Sequence, residues 1–205
     1  MASNNQARKK IVLQQIITDN PVIMQVIGIC SALAVTNRML NSLIMGLALT
    51  FTTALSSFTI SILREKTPAH IRMMVQVLII SFYVILVDIF LQAYMPEMSK
   101  ALGPYVGLII TNCIIMGRAE AFAINNKPLD SLIDGAAAGI GYTLILLAIA
   151  LFREILGFGS IFGFRIMPES FTTWTLMIMP PGAFFILSLF MWWRKSKLPD
   201  EEAKK

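Results

Sequence analysis

Two cysteines and a single histidine are all the thiol and imidazole ligands in 205 residues. Cys30 and Cys113 lie 83 positions apart, which is neither a disulfide framework nor a local metal motif. The chain also lacks the glycine-rich strand-to-helix turn and the P-loop pattern that cradle nucleotide phosphates, and no Ser/His/Asp arrangement suggests a hydrolase. Charge is scarce as well, at 14% of residues, against 56% hydrophobic residues and a mean hydropathy of +0.70. These values exclude an ordinary water-soluble domain. The net charge of +5 would point to nucleic acid in a soluble protein, but here the basic residues gather at the ends of apolar segments. They report topology, and no nucleic-acid partner is expected.

Apolar runs are what the chain has in abundance. They recur at roughly 22–36, 42–63, 71–95, 104–116, 132–152 and 174–193. This pattern predicts an all-α integral membrane protein, one membrane domain over 1–205, with short cytoplasmic tails at 1–20 and 194–205. Asp19, Asn20 and Pro21 separate the basic Arg8-Lys9-Lys10 from the first apolar run, which argues against a cleaved leader. Six crossings or dips that start in the cytoplasm put thirteen Lys and Arg on the inner side and four, Arg38, Lys100, Arg153 and Arg165, on the outer side. That is the asymmetry of the positive-inside rule, and both termini are expected to be cytoplasmic.

The segments read twice. "PVIMQVIGIC" ends at Cys30 and "PYVGLIITNC" ends at Cys113, each cysteine the tenth residue from a proline. "MGLALTFTTALSSFTISILRE" (45–65) and "DGAAAGIGYTLILLAIALFRE" (134–154) then match in length, with Gly second and Arg-Glu last. Three segments per copy is an odd number, so the second copy enters the membrane from the opposite side. Two inverted repeats of three segments are predicted, over about 21–95 and 104–193, an architecture that places functional groups near the midplane on discontinuous helices.

Pro104 to Met116 spans 13 residues, about 20 Å of helix, which is too short for a hydrocarbon core of about 30 Å. A half-helix is therefore expected here, broken at Gly117. Arg118 and Glu120 follow at a depth where charge is costly, so they should pair with each other or with freed backbone groups. From spacing alone, each cysteine is either a small buried hydrophobe or half of a site that another chain completes, since a thiolate iron–sulfur site usually needs four cysteines. Asp88, read as mid-span, and Asp134, read as opening its span, are candidates for ion coupling or for structural polar contacts. Gly135 and Gly139 suit close helix packing, and His70, after Pro68, suits a surface loop.

"GICSALAVT" (28–36), "ITNCIIMGRAEAFA" (110–123) and "FREILGFGSIFG" (152–163) closely resemble the D-type membrane subunits of bacterial Na+-translocating NADH:quinone oxidoreductases. The E-type subunits of Rnf-type electron transport complexes share the second motif and form the nearest alternative. The resemblance implies a multi-pass inner-membrane subunit paired with a homologous E subunit of opposite orientation, alongside flavin-bearing and NADH-oxidising subunits. It further implies that Cys30 and Cys113, with two cysteines of that E subunit, hold a [2Fe–2S] cluster that carries electrons across the bilayer while the complex moves Na+. On this reading the chain neither oxidises NADH nor reduces quinone by itself. A different class, an inverted-repeat secondary transporter whose half-helices bind a small solute, fits the repeat pattern without the resemblance.

Overall fold

The structure is a computed structural model that describes residues 27–158, 160–161, 164–165 and 179–197. The expectations for residues 1–26, including Pro21 and the N-terminal tail, for 174–178 at the start of the last apolar segment, and for 198–205 lie outside the described residues. Within them the chain forms α1 (Ile29–Val35), α2 (Met39–Leu63), α3 (Arg72–Tyr94), α4 (Pro96–Ile110), α5 (Cys113–Arg118), α6 (Pro128–Phe158) and α7 (Pro180–Lys197). A π-helical turn, Ala119–Ala123, extends α5, and a two-residue hairpin pairs Ser160 with Arg165 and Ile161 with Phe164.

Each predicted apolar segment has a counterpart among the described residues, the first only through α1. Among the described residues four stretches are long and apolar enough to cross a membrane: α2, α3, the broken stretch Gly103–Ala123, and Pro128–Gly157 of α6. The helix ahead of Cys113 starts earlier than expected, at Pro96 rather than Pro104. Proline suits the first helical turn, where its missing N–H costs nothing, and Glu97 follows it in that turn.

At the centre, α2 and α6 run antiparallel in close contact. Glu154, near the C-terminal end of α6, accepts the N–H of Met39 at the start of α2 (2.8 Å). At the other end Ser61 of α2 donates to the carbonyl of Asn126, just before α6 (2.7 Å). Glycines permit the approach: a methyl group added at Gly46 would lie 2.5 Å from Thr143, one at Gly135 2.9 Å from the Thr53 carbonyl and 3.2 Å from Ala54 Cα, and one at Gly139 2.6 Å from Thr50 Cα. The matched stretches explain the pattern. In their register Gly46 corresponds to Gly135 and Ala54 to Thr143, so the first two contacts are symmetry mates. Thr50 corresponds to Gly139, and a residue that touches its own counterpart lies on the two-fold axis. Inverted repeats relate the halves, and small residues let their central helices meet as they do in membrane bundles.

Leu49, Met45, Ile80, Val84, Ile109, Ile114, Ile115 and Leu146 form the buried core around this pair. The opposite behaviour is seen on α3 and α7. Met74, Leu78, Phe82, Phe90, Phe185, Leu189 and Trp192 are exposed. In a bilayer that apolar surface needs no protein cover, because acyl chains solvate it.

Candidate functional site

Both cysteines sit at breaks. Before Cys30, Gly28 turns the chain through φ +86°, a left-handed conformation that costs an L side chain roughly 1–2 kcal/mol. A methyl group at Gly28 would also lie 2.5 Å from Ile114 Cδ1. Before Cys113, α4 ends at Ile110, and Asn112 adopts extended backbone while its Oδ1 accepts the N–H of Ile114 (3.0 Å). This is an N-cap.

The expected break at Gly117 is therefore displaced by five to six residues, to Thr111 and Asn112. An asparagine cap specifies a helix start, whereas an interior glycine costs a helix only about 1 kcal/mol and need not end it. Cys113 opens the second half-helix instead of closing the first. Cys30 is likewise the second residue of α1.

A buried polar cluster ties the two breaks together. Asn112 Nδ2 donates to Ser31 Oγ (3.0 Å), Ser31 donates to the Gly28 carbonyl (3.1 Å), and the Tyr142 hydroxyl lies 2.5 Å from Ser31 Oγ. Ser31 thus has its one proton and both lone pairs engaged, as a hydroxyl buried at this depth requires. The cluster joins residues immediately adjacent to Cys30 and Cys113, and Gly28 meets Ile114 on the same seam. Both thiols are exposed on the surface of this chain. Sequence reading misses Ser31, Asn112 and Tyr142. The signals are there: an asparagine directly before Cys113, and a lone tyrosine in an otherwise aliphatic stretch.

The charged residues pair differently from expectation. Arg118 does not meet Glu120, because residues two apart point to different faces of a helix. It binds Asp134 through two hydrogen bonds, Nε to Oδ2 (2.9 Å) and Nη2 to Oδ1 (2.5 Å), with its guanidinium 5.5 Å from the Phe122 ring centroid. Glu120 is exposed and accepts from Arg72 Nη1 (3.1 Å) and Gln76 Nε2 (2.9 Å). Asp134 is not at a helix start, since α6 begins at Pro128. It is buried in the second turn.

In the repeat register, position 118, five residues past Cys113, corresponds to Val35, and Asp134 corresponds to Met45. Both of those residues are buried and apolar. One half of the molecule thus packs hydrophobically where the other holds a buried ion pair.

Asp88 lies in the last third of α3 rather than mid-span. It is half-buried and accepts from Gln92 Nε2 (2.7 Å). His70 is exposed, as expected. Among the described residues no three His, Cys, Asp or Glu side chains gather into a metal site.

Comparison with known proteins bears on the same residues. The Rnf-Nqr membrane-subunit family matches residues 8–191. The chain is 46% identical over 206 residues to the D subunit of the Na(+)-translocating NADH-quinone reductase of Psychromonas ingrahamii, covering 98% of each chain. It is also 46% identical over 202 residues to the D subunits of the same reductase from Pseudoalteromonas translucida and Shewanella denitrificans, covering 96% of each chain. A chain matched over this length, with its cysteines at two facing helix breaks, belongs to the Rnf-Nqr family of membrane subunits.

Proposed function

We propose that this chain is the D-type membrane component of a Na+-translocating NADH:quinone reductase, and that Cys30 and Cys113 are its half of an iron–sulfur site completed by a homologous E-type subunit. The observation that carries the reading is the placement of both thiols at adjoining helix breaks, exposed rather than packed into this chain's core. A purely structural cysteine in an apolar protein is most simply buried within its own subunit.

The donor set fits the group. A [2Fe–2S] cluster takes four thiolates, and two outward-facing thiols with no third His, Cys, Asp or Glu grouped beside them among the described residues leave the remaining pair to another chain. When bound, such a cluster supplies a one-electron carrier. Cys30 and Cys113 hold it as thiolates; Ser31, Asn112 and Tyr142 fix the breaks that present them. Electrons crossing about 30 Å of hydrocarbon benefit from a carrier part-way across.

The same reading places the chain in the bacterial inner membrane with both termini cytoplasmic. It assigns Na+ handling to Asp88, an ionisable group within a span; Asp134, the other acid the sequence offers, is taken up by Arg118. The names of the relatives favour this complex over an Rnf-type one.

The test is Cys30→Ser and Cys113→Ser in the purified complex. Each should leave NADH oxidation by the flavin-bearing front end intact and abolish quinone reduction, because a hydroxyl oxygen is a poor substitute for thiolate on iron. Wild-type quinone reduction in either variant contradicts the assignment. A colourless, iron-free wild-type complex that binds a small solute would favour the transporter instead.

A further inference from the structure

Arg64 and Arg153 close the two matched stretches at equivalent positions, and each reaches across into the other repeat. Arg153 is 2% exposed; its Nη1 donates to Thr36 Oγ1 (2.6 Å) and the Leu33 carbonyl (3.4 Å), and its Nη2 to the Met179 carbonyl (3.3 Å). Leu33 and Thr36 are the C-terminal end of the half-helix that carries Cys30. Arg64 Nη1 donates to the carbonyls of Ile124 (3.3 Å) and Asn126 (3.1 Å), just past the π-turn that ends the half-helix of Cys113.

Helix ends leave carbonyls unpaired, and within a bilayer these must be satisfied by protein. Each arginine does this for the opposite repeat, Arg153 at the last turn of its half-helix and Arg64 where the chain leaves the π-turn. Half-helices of seven residues and, counting the five-residue π-turn after the six of α5, eleven residues have few internal bonds to hold their own position, so their depth and tilt are set from their ends. The N-terminal ends are joined to each other by Ser31 and Asn112. The C-terminal ends are each held by the arginine of the opposite repeat.

We propose that Arg64 and Arg153 are positioning residues for the two thiols and act crosswise: Arg153 sets Cys30, and Arg64 sets Cys113. The Glu after each arginine breaks the symmetry for a chemical reason. Glu154 accepts the N–H of Met39. The residue matching Met39 is Pro128, which has no N–H to give, and Glu65 is exposed. Arg153 with Glu154 is accordingly the firmer hold.

The inference rests on the proposed cluster only for its spectroscopic arm. Amide hydrogen exchange on the intact complex tests the crosswise geometry without reference to iron. Arg153→Met should speed exchange in 29–35 roughly tenfold or more and leave 113–118 unchanged, and Arg64→Met should do the reverse. Thr36→Val, a milder change that removes the hydroxyl that accepts from Arg153 and donates to the Ala32 carbonyl (2.6 Å) while leaving the guanidinium in place, should move 29–35 in the same direction by less. In variants that retain iron, the EPR line shape or midpoint potential of the centre should shift, and Arg153→Lys should restore it in part. Equal exchange in both half-helices, or no change in either, overturns the proposal. So does an unaltered spectrum in an assembled Arg153→Met complex. Absence of an iron signal from the wild type would count against the cluster instead, and leaves the exchange result to decide the positioning role.

Discussion

Gly28 is constrained twice over. Its left-handed backbone and its contact with Ile114 together forbid a side chain, so Gly28→Ala should lower the thermal midpoint of the purified complex and loosen Cys30. The expected cost is about 2 kcal/mol or more, from conformation and overpacking combined. An unchanged midpoint would show that the break does not depend on φ. At the ion pair, Asp134→Asn strands a buried guanidinium, a loss of about 3–5 kcal/mol that should appear as lost complex yield. The double change Arg118→Val with Asp134→Met, copying the two buried apolar residues at the matching positions of the other half, should recover that yield. A double variant that assembles worse than the single would contradict the repeat comparison. Asp88 stands differently, half-buried with Gln92 as its partner. Asp88→Asn should assemble normally and weaken the Na+ dependence of turnover, and an identical Na+ response in a fully assembled variant rules the coupling role out. None of these distinctions is visible in sequence, because Asp88 and Asp134 both read as acids within apolar stretches. Which one has an arginine facing it depends on how α5 and α6 pack.

At the scale of the element, the close contact of α2 with α6 makes a graded prediction. Gly139→Ala would press a methyl group against the backbone of Thr50, which cannot turn aside, and should destabilise by about 1–3 kcal/mol. Gly46→Ala meets the side chain of Thr143, so Thr143→Ala in the same chain should relieve it; the relief would be read from thermal midpoints. Failure of that rescue would mean the contact is not the one limiting the approach. The apolar segments themselves are legible in the sequence, although α4 starts at Pro96 and the 104–116 run is divided between α4 and α5; the Gly-to-Arg-Glu match gives the inverted repeat. The break falls elsewhere than Gly117 because asparagine is the stronger signal. Asn112 before Cys113 specifies a cap, and capping chemistry sets a helix start where an interior glycine merely weakens one. Arg118 and Glu120 are close in sequence and invite pairing, although the helical rotation between them turns them apart.

For the whole molecule, antiparallel halves around one axis require that matching points lie on opposite sides of the membrane. A reporter after Lys205 should read cytoplasmic, and one beside Lys100 should read periplasmic; the same side for both would break the inverted-repeat account. The central claim, that this chain supplies half of a metal site at its two breaks, is tested most directly by iron analysis and EPR on the intact purified complex, wild type against Cys30→Ser and Cys113→Ser. The account predicts that each variant, assembled with its other subunits, loses the iron and the EPR signal of one [2Fe–2S] centre. Full iron content with an unchanged spectrum in either variant would contradict it.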